Sequence, residues 1–155
     1  MKAPKLIITT LILGVFQLTL LDYFRIFGIK PDLLLVSVVL AGLFLEMRWA
    51  IVFGVAVGIF KDIFTLNPFG LNILLFGLWG FLSAKISRKI SIEDNLSATL
   101  LALVIALLQN ITSGLAFVYS GNFVPVGIFL RISLLGSLYT ALALPLILKA
   151  AKAKI

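Results

Sequence analysis

The chain contains no cysteine and no histidine among its 155 residues. These absences exclude disulfides, thiolate nucleophiles and zinc sites built from Cys and His. They also exclude histidine acid–base catalysis and Ser-His-Asp triads. No glycine-rich phosphate loop and no carboxylate dyad stands out among the remaining residues. The sequence therefore predicts a protein that is not an enzyme and that holds no metal or cofactor.

Charged residues are scarce as well, at 12% of the chain, whereas about 25% is usual in a soluble domain. Hydrophobic residues make up 62%, and the mean hydropathy is +1.22. A chain this short cannot hide so much apolar surface in a water-soluble core, because small domains have a high surface-to-volume ratio. We therefore expect the lipid bilayer to be its solvent and residues 1–155 to form a single polytopic membrane domain.

The apolar runs predict an all-α membrane protein with six transmembrane helices. Their expected positions are Leu6 to Leu21 (reaching toward Phe27), Pro31 to about Leu45, Trp49 to Phe60, about Phe69 to Ala84, about Leu96 to Val118, and about Val126 to Leu148. Glu46 and Arg48 interrupt the second and third runs, and charges deep in hydrocarbon cost about 2.5–3.5 kcal/mol each. A cytoplasmic hairpin between two separate helices avoids that cost.

The second and third helices are both short, since a normal span needs about 20 apolar residues. Short spans survive where protein neighbours satisfy their ends. We therefore expect residues 61–72 to be irregular and partly buried, with a turn at Asn67-Pro68. Ser91 or Asp94 is the expected cap of the fifth helix.

The net charge of +7 does not require a nucleic-acid site, because basic residues in membrane proteins collect in cytoplasmic loops. The positions of these residues therefore indicate how the chain is oriented in the membrane. Six helices put both termini on one side of the membrane. Nine basic residues then face the cytoplasm and three face outward. The inner set is Lys2, Lys5, Arg48, Lys85, Arg88, Lys89, Lys149, Lys152 and Lys154, and the outer set is Arg25, Lys30 and Lys61. This bias predicts that both termini are cytoplasmic.

Two sets of small residues point to close helix packing. Gly54 and Gly58 form a small-xxx-small pair, which lets two backbones approach in lipid. A second series along the fourth helix consists of Gly77, Gly80, Ser83 and Ser87. We favour packing within the chain, and a contact with another protein stays open as the alternative.

The densest polar cluster comprises Asp62 and the turn that follows the third helix. The turn residues are Asn67, Pro68, Phe69, Gly70, Leu71 and Asn72. Ionisable residues at membrane depth are candidates for function. A structural Asp62 that accepts backbone N–H groups and a partner-binding Asp62 are both consistent with the sequence. Arg131 lies inside the sixth run, where it could snorkel outward, but we favour a pair with Asp62, because a buried charge needs a partner.

Three stretches of the chain resemble the rod shape-determining protein family MreD. They are Pro31-Asp32-Leu33-Leu34-Leu35, the block Gly54-x-x-x-Gly58-x-x-x-Asp62, and Asn67-Pro68-Phe69-Gly70-Leu71-Asn72. The resemblance implies a non-enzymatic scaffold in the cytoplasmic (inner) membrane of a bacterium. It also implies partners: MreC, and through it RodA, a class B penicillin-binding protein and the actin homologue MreB. Lys61 departs from the pattern, in which an uncharged residue stands beside the aspartate.

The same resemblance implies a fold like that of the substrate-binding subunits of energy-coupling-factor vitamin transporters. That likeness supplies an alternative function, in which an outer polar pocket captures a vitamin. The transporter subunits often carry an Ala-x-x-x-Ala pair on the first helix, where this chain has Thr10-x-x-x-Gly14. We therefore prefer the scaffold, which takes no small-molecule substrate.

Overall fold

The structure is a computed structural model that describes residues 2–19, 23, 28–29, 31–65, 68–90 and 94–153. Those residues form six α-helices. The helices are α1 (Ala3–Thr19), α2 (Leu33–Phe44), α3 (Met47–Phe64), α4 (Leu71–Lys89), α5 (Asn95–Tyr119) and α6 (Val126–Ala153). The prediction of six helices is confirmed, including the break that separates the second from the third.

The helix ends show why the breaks fall where they do. Asp32 is the N-cap of α2, and its Oδ1 accepts a hydrogen bond from the Leu35 N–H at 3.1 Å. Asp94 is the N-cap residue of α5, as expected, and the Ser97 hydroxyl lowers the pKa of its carboxyl. Helix α3 continues four residues beyond the predicted Phe60. Residues 61–64 are therefore helical, as are Leu71 and Asn72 at the start of α4, and the prediction of irregular structure over 61–72 is wrong for these residues.

Helix α2 lies at the centre of the bundle. Ten of its 12 residues are buried, and it contacts each of the other five helices. Twelve residues extend only about 18 Å, whereas the hydrocarbon core of a bilayer is about 30 Å thick. A helix this short is stable at membrane depth because protein, not lipid, surrounds it.

The surface of the bundle is apolar, unlike that of a soluble protein. Beside a core of buried leucine, valine and alanine, its interior also holds amide and hydroxyl side chains, among them Gln17, Ser37, Asn72, Gln109 and Thr140. Its surface carries rows of leucine, isoleucine and valine along α1, α5 and α6. Such an extensive apolar exterior indicates lipid contact. By length and composition, two helices of the described chain can cross a membrane: α5, and α6 as far as Ala150.

Helices α5 and α6 reach beyond the start of α2. The backbone N–H of Asp32 donates to Thr140 Oγ1 at 3.0 Å, and Thr140 lies 14 residues after the first residue of α6. Fourteen helical residues extend about 21 Å. The first three turns of α6 therefore pack on α5 without cover from α2.

Candidate functional site at the junction of α3 and α4

The Asp62 carboxylate, at the end of α3, caps the beginning of α4. Oδ2 accepts hydrogen bonds from the N–H groups of Gly70 (3.0 Å) and Ile73 (3.2 Å). Oδ1 accepts from the Asn72 N–H (3.2 Å) and from Asn72 Nδ2 (2.9 Å). The first turn of a helix leaves its N–H groups without intrahelical partners and favours negative charge. One buried side chain therefore satisfies the start of α4 and ties it to α3.

The turn between the two helices is held in one shape. Gly70 is the N-cap of α4 with φ +101°, a left-handed conformation that residues with a Cβ adopt only at a cost. The Leu71 N–H donates to the Pro68 carbonyl oxygen at 3.2 Å. The Phe69 side chain points outward and is 71% exposed. Asn67, predicted to belong to this site, lies outside the described residues.

A chain of buried side chains carries the site from α4 into α5. Asn72 Oδ1 accepts a hydrogen bond from Gln109 Nε2 at 3.0 Å. The same Nε2 also donates to Ser113 Oγ at 3.0 Å, and Gln109 Oε1 accepts from Trp79 Nε1 at 2.6 Å. Fully satisfied networks of this kind fix side-chain positions, because each broken link would leave a buried polar group unpaired. The site is therefore a rigid structural element and not an open pocket.

Glycines bring α3 and α4 into backbone contact beside this cluster. A Cβ placed on Gly54 would lie 2.2 Å from the Phe76 carbonyl oxygen, and one on Gly58 would lie 2.5 Å from the Asn72 carbonyl oxygen. From the other helix, a Cβ on Gly80 would lie 2.4 Å from the Ala50 carbonyl oxygen. The Gly54/Gly58 pair thus packs within the chain and holds Asp62 beside the start of α4.

Lys61 turns away from Asp62 and forms an ion pair with Asp32, at the start of α2. Both side chains are 15% exposed. The ammonium also lies 4.8 Å from the centre of the Phe76 ring, within the range of a cation–π contact. Gln17 Oε1 accepts from the Leu34 N–H at 3.0 Å beside this pair. The charge next to Asp62 is thereby neutralised by α2, and the capping role of Asp62 is left intact.

The chain matches one family of proteins over nearly its whole length. The family model described as rod shape-determining protein MreD matches residues 2–150. The chain belongs to the MreD family. MreD proteins are membrane proteins of cell-shape determination and are not an enzyme family, so this membership gives the chain a role in maintaining rod shape.

Neither the curated proteins nor the solved structures give a match to the chain. Its likeness in fold to the substrate-binding subunits of vitamin transporters therefore stays an expectation drawn from the sequence. Membership of the MreD family, not a structural neighbour, carries the functional assignment.

Within this MreD-family structure, the predicted pair between Asp62 and Arg131 is wrong. The Arg131 side chain is exposed on α6, and α3 and α6 make no contact in the described part of the chain. The physical reason is that Asp62 already accepts four hydrogen bonds from the start of α4. A carboxylate so well satisfied needs no cation.

The series Gly77, Gly80, Ser83 and Ser87 is covered from within the chain. A Cβ on Gly42 of α2 would lie 2.2 Å from Ser83 Cβ, and Ser87 Oγ donates to the Gly42 carbonyl oxygen at 3.3 Å. Helix α3 covers Gly80 in the same way. This series therefore offers no surface to a partner.

Sequence reasoning missed the part that Asp32 plays. Its position one residue after Pro31 and directly before an apolar helix is a capping signal that the sequence alone contains. The Lys61 contact was not, because 29 residues separate the two side chains and only packing of α3 on α2 brings them together.

Proposed function

We propose that the chain is a non-enzymatic scaffold subunit of the bacterial cell-wall elongation complex. The observation that supports this most directly is the Asp62-capped turn. Among its described residues, Asp62 is hydrogen-bonded to both Gly70 and Asn72, while Phe69 is presented outward. A preorganised turn with an exposed aromatic side chain is suited to being recognised by another protein, since aromatic anchors dominate many interfaces.

The rigidity of the Asp62-capped turn suits it to binding another protein. Asp62 fixes the turn to α3, and the Asn72–Gln109 bond fixes it to α5. A partner that binds such a turn does not have to order it first, which lowers the entropic cost of association. Among the expected partners, MreC is the first candidate, and RodA, a class B penicillin-binding protein and MreB would be reached through it.

The proposal includes a topology of six spans with both termini in the cytoplasm of a bacterium. The nine inward basic residues support this orientation. Because the chain has no cysteine, single cysteines can be introduced cleanly. We expect an impermeant thiol reagent to label Asn122→Cys in intact spheroplasts and to label Arg88→Cys only after the membrane is opened. Labelling of position 88 but not of position 122 in sealed spheroplasts would show that the orientation is the opposite of the proposed one.

The test of the scaffold itself uses two exposed phenylalanines. Phe69 lies in the proposed recognition turn and is 71% exposed, whereas Phe123, between α5 and α6, is 88% exposed. Neither Phe→Ala change removes a buried contact, so both variants should reach normal abundance in the membrane. In a rod-shaped host that depends on this protein, we expect Phe69→Ala to give rounded cells and Phe123→Ala to give rods.

The same two variants are then compared by co-purification from detergent-solubilised membranes, with the bound proteins identified by mass spectrometry. Phe69→Ala should lose membrane partners that Phe123→Ala retains. Normal rods and an unchanged partner set for Phe69→Ala would show that the turn is not the recognised surface.

A further inference from the structure

Arg131 is an exposed guanidinium on α6, and the other exposed residues of this helix between Val126 and Leu146 are apolar. It makes no hydrogen bond and no ion pair with any residue that the structure describes. It lies five residues after the first residue of α6, or about 7.5 Å along the helix. Side chains on a helix tilt toward its N-terminus. The Arg131 guanidinium therefore reaches toward the first turn of α6, which follows Pro125.

Arg131 belongs to a continuous row of outward-facing residues. Spacings of four, three, four and four place five positions on one face of α6. These five residues are Gly127, Arg131, Leu134, Leu138 and Leu142, and all are exposed. We refer to them as the α6 stripe. It lies opposite the buried face of α6 that packs on α5 and α2.

Gly127 gives the α6 stripe a point of close approach. A Cβ added there would meet nothing within 4 Å, so no neighbour inside the chain requires a glycine. Glycine also weakens a helix relative to alanine. In lipid, a small exposed residue is useful where the backbone of a second helix comes near. Gly127 and Arg131, one turn apart, therefore present a close contact and a charge together.

We propose that the α6 stripe receives a membrane-spanning helix of another protein, one that carries an aspartate or glutamate near the end facing Arg131. The inference rests on the proposed scaffold function, to which the α6 stripe would add a second surface beside the Asp62-capped turn. A guanidinium and a carboxylate attract strongly at the membrane boundary, since the dielectric constant falls there. The leucines below would pack along the same helix.

Charge distinguishes this occupant from a second copy of the chain. A two-fold contact through the α6 stripe would place one Arg131 beside its symmetry mate, and two like charges repel at that depth. A phospholipid phosphate would neutralise the charge of Arg131, but it does not require a glycine one helical turn away, at Gly127. A partner helix uses the glycine, the arginine and the leucines at once.

The test is site-specific crosslinking in living cells that express the full chain. Benzoylphenylalanine replaces Leu134, in the stripe, or Leu100, a comparably exposed leucine on α5. We expect ultraviolet light to give one protein adduct from position 134 and none from position 100. Peptide mapping should place the adduct in an apolar segment that has Asp or Glu within about one helical turn.

Charge reversal completes the test. Arg131→Glu should lower the yield of the adduct at least tenfold, Arg131→Lys should keep most of it, and exchanging the mapped carboxylate for lysine should restore it with Arg131→Glu. The adduct's survival at full yield in Arg131→Glu would overturn the proposal. An adduct with phospholipid alone, or with a second copy of the chain, would overturn it too.

The two proposals fail separately. If position 134 captures no protein while Phe69→Ala still rounds the cells, the α6 stripe is a lipid-facing surface and the scaffold stands. If the chain neither co-purifies with membrane partners nor supports rods, the scaffold itself fails. The abundance of each variant in the membrane fraction is measured as well, so that the loss of an adduct is distinguished from the loss of the protein.

Discussion

Asp62→Asn is expected to destabilise the protein by about 3 kcal/mol, although the change preserves size and shape. Each carboxylate oxygen accepts two hydrogen bonds. An amide offers only one oxygen, so in either orientation its NH2 group faces two N–H donors. Two donors at the start of α4 then lose the carboxylate as their acceptor, and a buried donor left unpaired costs about 1–3 kcal/mol. The measurement is the SDS concentration at half-unfolding of the purified protein in detergent.

Asp94→Asn is the matched control for that change. Asp94 is an exposed N-cap residue of α5, and asparagine is as good a cap as aspartate. Its half-unfolding concentration should equal that of the parent protein. If Asp62→Asn behaves like Asp94→Asn, the carboxylate does not cap α4 as the structure shows.

Gly54→Ala is expected to separate α3 from α4 and to cost about 2–3 kcal/mol. The added methyl group would lie 2.2 Å from the Phe76 carbonyl oxygen and 2.8 Å from its carbon. Both atoms belong to the backbone, so no side-chain rotation relieves the contact and the two helices must move apart. The same SDS titration measures the loss, and the amount of folded protein in membranes should fall with it.

Two further glycines calibrate the result. At Gly77 the new methyl group would meet only Val55 Cγ2, at 3.0 Å, and a side-chain methyl can move. At Gly127 it would meet nothing within 4 Å, so the gain in helix propensity, up to about 1 kcal/mol, should appear alone. We expect stability to rank Gly127→Ala above Gly77→Ala and Gly54→Ala last. Equal stability of all three would contradict the close approach of α3 and α4.

The hydrophobic runs predicted the helices well, because lipid contact requires apolar side chains along a helix and such runs are visible in the sequence. Glu46 and Arg48 marked the α2–α3 break, and Asp94 marked the start of α5. The end of α3 was placed too early. Lys61 and Asp62 suggested an interruption, yet both remain helical because α2 and α4 supply their partners.

Partner choice within the site was less predictable than its location. Asp62, Gly70 and Asn72 form a cluster along the sequence, which is why the turn could be recognised from composition. Which charge meets which depends on helix packing. The sequence places Arg131 and Asp62 at the same end of the bundle and so favours a pair, whereas in the structure the N–H groups of α4 satisfy Asp62.

The shortness of α2 also constrains how the protein is made. Membrane proteins are commonly assembled in two stages, in which helices first insert singly and then associate. Twelve residues cannot cross the hydrocarbon alone, and ten of these 12 have no lipid-facing side in the finished bundle. In the proposed six-span topology, helix α2 would therefore enter together with α3 as a hairpin and complete its burial only when α4, α5 and α6 have arrived. The centre of the molecule is thus the last part to reach its final surroundings during biogenesis.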